Sequence, residues 1–196
     1  MTASGDDTGS KCPAEAHSGF VYDEAYLDHD TGPGHPETPA RLKAMMDHLE
    51  EEGILPRLRR IEPRPAAEKW IKTIHSTEYV REVEDACSRG NTCLHSLDTR
   101  VCSRSFDVAL LAAGGVMAAV DAVMGGEITN AFCAVRPPGH HATADRAMGF
   151  CLFNNVAIAT RYAQREHGID RVLIVDWDTH HGNGTQDAFY DDDSVL

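Results

Sequence analysis

The sequence predicts an α/β protein of three layers, α-β-α, organised around a mainly parallel sheet. Residues 131–135 and 172–175 are apolar runs rich in β-branched and aliphatic side chains, which is typical of buried parallel strands. Between them a helical pattern starts at Asn154 or Asn155 and ends before Gly168. A strand, a helix and a second strand joined by a short return loop form a right-handed βαβ unit of a parallel sheet.

The other elements follow from local capping and turn patterns. Residues 19–22 predict a short first strand, and two stretches are expected to be connectors, residues 56–65 and 90–104. Helices are predicted where a capping residue precedes an apolar pattern, at residues 39–52, 76–83 and 105–124. Thr38 is expected to cap the first of these helices. The last one has small residues from Ala112 to Gly115 and should therefore approach the sheet closely.

The composition is that of one globular domain with a substantial core. The chain has 196 residues, of which 42% are hydrophobic and 25% are charged. Asp and Glu number 31 against 18 Lys and Arg, which gives a net charge of -13. Direct binding to nucleic acid is not expected because the phosphates would be repelled, whereas a cationic substrate suits this charge. The apolar runs fall short of the roughly 20 residues of a transmembrane helix, so no membrane partner is expected.

The cysteines and the start of the chain indicate the cellular setting. The six cysteines form no C-x-x-C pair and no signal peptide is visible, which predicts reduced thiols in a cytoplasmic protein. Residues 1–18 are largely polar and acidic, and they are predicted to form a disordered tail before a domain at residues 19–196. The sequence leaves homo-oligomerisation open.

Polar residues suited to metal-assisted hydrolysis follow both predicted strands. Asp178 and His180 form an Asp-x-His pair, which supplies a carboxylate oxygen and an imidazole nitrogen and is compatible with zinc. His140 and His141 follow the other strand and could transfer protons near neutral pH. Because ligands of open α/β sheets bind at the carboxyl ends of the strands, both pairs are expected at one site.

A catalytic imidazole needs an acceptor that orients its second nitrogen. Asp176 and Asn183 are the nearest candidates, and because only one of them is charged, the two histidines would differ electrostatically. A competing interpretation is that backbone carbonyls in a Pro-Gly turn satisfy both histidines, which then have no catalytic role. Convergence from two separate strand ends favours an enzyme site.

Four motifs carry a resemblance to a known family that spans residues 20–196. They are HDTGPGHPE at 29–37, RPPGHHA at 136–142, MGFCLFNN at 148–155 and DWDTHHGNGTQ at 176–186. Together they resemble the zinc-dependent histone deacetylases, which have an arginase/deacetylase-like α-β-α fold. The first motif and the NGTQ ending are similar to the class II and bacterial branch, which includes histone deacetylase-like amidohydrolases, acetoin-utilization proteins and acetylpolyamine amidohydrolases.

The resemblance implies a role for the residues at the strand ends. The zinc ligands would be Asp178 and His180. The catalytic residues would be His140, His141, Asp176 and Asn183. Within that set, Asp176 would be oriented toward His140 and Asn183 toward His141.

The resemblance also implies a substrate channel and the number of metal ions. Gly149 and Phe150 would line a narrow channel for an acyl-lysine side chain, and Asp98 at its rim would hold the substrate backbone. One zinc ion is expected, because Gly182 stands where the related arginase fold carries an acid for a second metal. The resemblance further implies a structural potassium ion near the backbone of residues 176–180.

The family's domain is longer than this chain. Its third zinc ligand, an Asp, and its oxyanion-stabilising Tyr belong to segments that would follow Leu196. The chain is therefore interpreted as the N-terminal portion of the domain, truncated at the C-terminus, and it is expected to be an inefficient enzyme by itself because losing an oxyanion donor alone costs roughly 10²- to 10³-fold in turnover.

Three functions remain open from the sequence. The first is a zinc-dependent amidohydrolase that removes acetyl groups from acetyl-lysine in proteins. The second is an amidohydrolase acting on acetylpolyamines or other small molecules, whose cationic character suits the acidic chain equally well. The third is an inactive module that binds acyl-lysine without hydrolysing it.

Overall fold

The computed structural model describes residues 17–196. Residues 1–16 of the predicted tail lie outside the described residues. The first strand begins at Ser18, which pairs with Asn130, one residue before the predicted start of the domain.

The described residues form five strands: β1 (Ser18–Val21), β2 (Arg59–Ile61), β3 (Cys93–Leu94), β4 (Ser96–Arg100) and β5 (Asn130–Cys133). β1 is the middle strand of a parallel sheet of order β2-β1-β5, in which Phe20 lies opposite Arg60 on one side and Phe132 on the other. β3 and β4 pair separately as an antiparallel hairpin. The two predicted connectors are therefore wrong in part, because they contain β2 and this hairpin, and such short strands depend on their partners more than on local propensity.

The described residues also form six α-helices: α1 (Ala40–Glu51), α2 (Glu68–Ile71), α3 (Thr77–Ser88), α4 (Ser105–Met124), α5 (Asn155–His167) and α6 (Asn183–Phe189). α5 follows its prediction, since the Asn154 side chain accepts the Ala157 N–H at 3.1 Å and Gly168 ends the helix at φ 68°. Thr38 does not cap α1. Pro39 takes the N-cap position with helical backbone angles, and only the main-chain carbonyl of Thr38 is used.

α4 lies against the sheet through its small central residues. A Cβ added at Gly115 would lie 2.9 Å from Val21 Cγ1 and 2.6 Å from Tyr26 Oη, so only glycine permits this approach. Phe20 precedes Val21 in β1 and therefore points to the opposite face of the sheet. It belongs to a buried cluster that includes Leu42 of α1. The close approach of α4 and the three-layer architecture are both confirmed.

The largest apolar cluster lies among α3, α4 and α5, where Val80, Val83 and Ile158 are fully buried. By length and composition alone α4 would be long enough to cross a membrane, contrary to the sequence-based expectation. Its buried residues pack against β1, β5 and α5 instead, as in the core helix of a globular domain.

Residues 172–175 are not the buried strand that the sequence predicts. Leu173 and Val175 are 67% and 69% exposed. Val172 makes a single parallel bridge, to Val195, and no pairing with β5 is formed in residues 17–196. The predicted βαβ pairing is therefore absent from the described part of the chain.

A groove of about 390 Å³ lies between this segment and the end of β5, lined by Val135 and Val175 among others. The backbone groups of residues 172 and 174 form hydrogen bonds with residues 194–196. Those of Leu173 and Val175 therefore point away from residues 194–196. They have no backbone partner within residues 17–196. An apolar run thus indicates the propensity for a strand, but the presence of neighbours decides whether it is paired and buried.

Acid should destabilise the fold through two buried histidines. The His75 ring donates from Nδ1 to the Thr143 carbonyl at 2.8 Å and accepts the Asn154 N–H at Nε2 at 2.9 Å, so it is neutral in the folded protein. Burial lowers the pKa of His75 from 6.5 to about 4, although the bond to Thr143 opposes this shift. Burial and then the charge of Arg136 lower the pKa of His29 to about 4 as well.

The two histidines bind protons below pH 6.5 in the unfolded chain but only near pH 4 in the folded protein. The unfolding free energy should therefore fall as the pH drops from 6.5 to 4 and should level off at lower pH. The expected loss is on the order of 3 kcal/mol for each histidine. Urea unfolding at several pH values measures it, and His75→Leu should flatten the dependence. The exposed His48→Gln is the control, and an equal flattening by that variant would contradict the assignment to His75.

Candidate metal and catalytic site

Two histidines with different partners lie just beyond the end of β5. His140 Nδ1 is 2.8 Å from Asp176 Oδ2, and His141 Nδ1 is 2.6 Å from Asn183 Oδ1. Both partner oxygens only accept, so both rings donate from Nδ1 and their Nε2 atoms carry the free lone pairs. The ring centroids are 4.1 Å apart. The structure thus forms both pairs that were inferred from the sequence, while their catalytic role remains a prediction.

The Asp-x-His pair lies beside these histidines. His180 Nδ1 is 2.9 Å from Asp178 Oδ1, and the His180 backbone N–H also donates to that oxygen at 2.8 Å. The His180 ring meets the His141 ring edge-on, with the centroids 5.9 Å apart. Both side chains of the pair are exposed, and they line an open cavity of about 670 Å³ together with Asp176.

Both carboxylates of the site are held as anions. Burial alone would raise the pKa of Asp176, but hydrogen bonds from the His140 ring and the Asp178 amide outweigh it and keep the pKa below its usual value. Hydrogen bonds from the amide and the ring of His180 lower the pKa of Asp178. The pair therefore presents a carboxylate and an imidazole nitrogen to the cavity at neutral pH.

These two donors fit zinc in chemistry and in spacing. Ligands of a tetrahedral zinc lie roughly 3.3 Å apart, close to the 2.9 Å between Asp178 Oδ1 and His180 Nδ1, and the metal would replace the proton shared by the two atoms. A catalytic zinc usually takes three protein ligands. Residues 17–196 contain no cluster of three or more His, Cys, Asp or Glu side chains suited to a metal, so they supply two donors. The structural potassium ion stays a prediction from the resemblance.

Gly149 and Phe150, the predicted channel residues, form a tight turn against His141. Gly149 has φ 55° and Phe150 has φ 69°, and the Cys151 N–H donates to the Met148 carbonyl at 2.9 Å, a pattern typical of a type I′ turn. A Cβ at Gly149 would overlap the His141 ring. The turn therefore lies next to the paired histidines, as a channel wall would.

Asp98, the predicted rim residue, lies on β4 and is exposed. Its carboxylate accepts from the Ser96 hydroxyl, and its carbonyl lies 2.9 Å from His35 Nε2. The His35 ring in turn packs edge-on against Phe150 at 4.7 Å between centroids. His35 thus connects the predicted rim and wall, a role that was missed because the histidine lies more than 60 residues from Asp98.

Sequence reasoning also missed two close approaches that require glycine. A Cβ at Gly182 would overlap Asp176 Oδ2, and a Cβ at Gly184 would overlap the Ala142 carbonyl. The glycines of the HHGNG segment were the signal that could have indicated this packing. The Gly184 N–H also donates to the His140 carbonyl at 2.9 Å, which holds the start of α6 against the loop that follows β5.

Gly149→Ala should disturb the site more than an equal change elsewhere. The added methyl group meets the His141 ring and needs a positive φ, so the unfolding free energy should fall by about 1–3 kcal/mol. Chemical unfolding measures this. Gly126→Ala is the matched control, because Gly126 also has a positive φ, 70°, but open space around its Cβ position. Equal losses in both variants would show that contact with His141 contributes nothing.

A parallel sheet flanked by helices places the chain in the α/β class, in which ligands bind beyond the carboxyl ends of the strands. Comparison with known proteins then gives the family. Residues 35–196 match the histone deacetylase domain, and the chain belongs to the histone deacetylase family.

Several relatives and one solved structure resemble the chain over most of its length. It is 44% identical over 181 residues to a probable deacetylase of Archaeoglobus fulgidus, covering 91% of this chain and 50% of the relative. It is 37% identical to the histone deacetylase-like amidohydrolase of Pseudomonas aeruginosa, covering 90% and 51%. It is 44% identical to human polyamine deacetylase HDAC10, covering 82% and 25%. The crystal structure of the HDA15 HD domain superposes with a TM-score of 0.88 at 39% identity, covering 92% of this chain and 52% of that one.

The chain thus spans about half the length of the curated relatives named first. The family resemblance and the arginase-like α/β fold inferred from the sequence are both confirmed.

Proposed function

We propose that the protein is a zinc-dependent amidohydrolase that releases acetate from an acetylated amine, with acetyl-lysine in proteins as the first substrate class. The observation that carries the proposal is the adjacent histidine pair, in which one ring donates to a carboxylate and the other to a neutral amide, beside an Asp-His donor pair. Names of relatives support deacetylation in general.

Asp178 and His180 would hold the zinc ion. When bound, zinc acidifies a water molecule and polarises the substrate carbonyl. The side chains of this chain contribute positioning and proton transfer. Asp176 connects the His140 ring to the Asp178–His180 pair, because it accepts from His140 through Oδ2 and from the Asp178 amide through Oδ1 at 3.1 Å.

The two histidines would move the protons of the reaction at Nε2. Hydrolysis of an amide needs one group that takes a proton from water and one that gives a proton to the leaving amine. The Nδ1 bonds fix both rings so that each presents Nε2. Asp176 brings a negative charge to His140 and Asn183 brings none to His141, which distinguishes the two rings for the two tasks.

The turn at Gly149 and Phe150 would form the channel wall, and Asp98 would hold the substrate backbone at the rim. The absence of a side chain at Gly149 and the aromatic ring of Phe150 suit the thin aliphatic stem of an acylated lysine. This part of the proposal rests on the family resemblance and on the position of the turn beside His141.

Acetylpolyamines are the second substrate class, because relatives at 44% and 42% identity are named polyamine deacetylases and the chain carries a net charge of -13. Acetate release from an acetyl-lysine peptide and from an acetylated polyamine, measured side by side on the complete protein, separates the two. Higher kcat/KM on the peptide supports the first class, and the reverse order assigns the second.

The same experiment tests whether the protein is an enzyme at all. Tight binding of the acetyl-lysine peptide without acetate release from any substrate, with zinc supplied, would identify an acyl-lysine-binding module. Assaying residues 1–196 for acetate release with zinc supplied tests the expectation that this stretch is inefficient by itself.

A further inference from the structure

Two non-glycine residues of the described chain have a left-handed backbone conformation. Both lie where the hairpin of β3 and β4 meets the turn at Gly149. Among the non-glycine residues in the range 17–196, only His95, with φ 61°, and Phe150, with φ 69°, have a positive φ. His95 joins β3 to β4, the hairpin that carries Asp98. Phe150 lies in the turn that contacts His141. Such backbone conformations are unfavourable and persist only where the surrounding structure holds them.

His95 bonds with both of its ring nitrogens. Nδ1 accepts the Ala147 N–H at 3.0 Å, and Nε2 donates to Glu82 Oε1 at 3.0 Å. An N–H can only donate and a carboxylate can only accept, so this arrangement requires the tautomer protonated at Nε2. The ring thereby connects α3 to the segment that leads into the Gly149 turn.

Phe150 is held from the same hairpin. Its N–H donates to Thr99 Oγ1 at 3.4 Å, and Thr99 is completely buried. Its ring packs on His35, which also bonds the Asp98 carbonyl. Ala147, three residues earlier, is completely buried as well, so in the folded protein its N–H depends on His95 Nδ1 as its acceptor.

We propose that His95 is a positioning residue that holds the strained turn at Gly149 and Phe150 against the hairpin carrying Asp98, and so sets the spacing between the wall and the rim of the substrate channel. This inference rests on the proposed function for its effect on substrate. His95 lies away from the reacting groups, so it should govern substrate affinity and leave the chemical step unchanged.

Two substitutions at His95 separate the ring contact from the backbone conformation. Gly adopts a positive φ freely but offers no acceptor to Ala147. Asn also tolerates this conformation, and its Oδ1 is bonded to Cγ as Nδ1 is in histidine, so it can accept the Ala147 N–H. Glu82→Gln keeps a hydrogen-bond acceptor for Nε2. Arg89→Ala, at the exposed end of α3, is the control for general effects of substitution.

The experiment measures amide hydrogen exchange at Ala147 and steady-state kinetics of the complete protein on its best acetylated substrate. His95→Gly should speed exchange at Ala147 about tenfold and raise KM about tenfold, with kcat within about twofold of the original. His95→Asn should restore both quantities to within about threefold. Glu82→Gln and Arg89→Ala should leave them nearly unchanged.

Unchanged exchange in His95→Gly, unchanged KM despite faster exchange, or no recovery in His95→Asn would each overturn the inference. If no acetylated amine is hydrolysed, the dissociation constant of an acetyl-lysine peptide replaces KM. Failure of the proposed enzyme activity is then distinguishable, because exchange and binding still report on His95. A protein that neither hydrolyses nor binds these substrates would overturn both proposals.

Discussion

Asp178→Ala is expected to abolish stoichiometric zinc binding and to lower kcat/KM for an acetylated substrate by about 10³-fold or more. Asp178 Oδ1 lies 2.9 Å from His180 Nδ1, and the lowered pKa of this carboxyl group keeps it charged at neutral pH. Without it, one imidazole of the two donors proposed within residues 17–196 remains, which is too few ligands to retain the metal. Metal analysis after dialysis and acetate release measure the two effects on the complete protein.

Asp191→Ala is the matched control, since Asp191 is an exposed aspartate of the same stretch outside the cavity. It should keep its zinc and its activity. An Asp178→Ala protein that binds zinc normally would remove this residue from the proposed ligand set. A protein that loses zinc but keeps its turnover would show that hydrolysis does not use the metal.

Arg136→Met is expected to lower the unfolding free energy by about 3–5 kcal/mol, the usual cost of leaving a buried charge without its partner. Arg136 and Glu37 are each 2% exposed. Arg136 donates from Nε and Nη2 to the two Glu37 oxygens, both at 2.7 Å, and from Nη1 to the carbonyls of Tyr26 and His29 at 2.8 and 2.7 Å. Without the guanidinium, the buried Glu37 carboxylate loses both of these charged hydrogen bonds.

Urea unfolding measures this loss, and two variants make it specific. Arg104→Met breaks an exposed pair with Asp107 and should cost less than about 1 kcal/mol. The double variant Arg136→Met with Glu37→Leu removes both charges and should therefore recover part of the loss. Recovery should be incomplete because the carbonyls of Tyr26 and His29 stay without donors. No recovery in the double variant would show that the hydrogen bonds to Tyr26 and His29 carry the effect.

Much of the site could be predicted from the sequence because its parts lie in short motifs. Histidines in the loop after a strand and an Asp-x-His pair after a second apolar run are visible in the sequence. The structure forms the hydrogen-bonded pairs His140–Asp176, His141–Asn183 and His180–Asp178 from these segments. α5 was equally readable, since Asn154 and Gly168 are local capping signals. Such features depend on neighbours within a few residues.

The junction between the hairpin and the Gly149 turn could not be predicted. Its contacts join His35 to Asp98 and His95 to Ala147, across 63 and 52 residues of chain. The strand β2 was missed for a related reason, since three residues with two exposed arginines become a strand only through pairing with β1. Conversely, the apolar run at residues 172–175 was expected to be buried, yet Val175 is exposed beside a groove.

The sequence by itself determined the family, the parallel α/β architecture and the chemical types of the site residues, because residue identity and short spacing specify donors, caps and strand propensity. Only the tertiary structure decided which groups are paired and which are exposed. It revealed the buried Arg136–Glu37 pair, the neutral His75 and the left-handed backbone of His95. These depend on contacts between distant parts of the chain, whose stability comes from burial and partner geometry that no local pattern records.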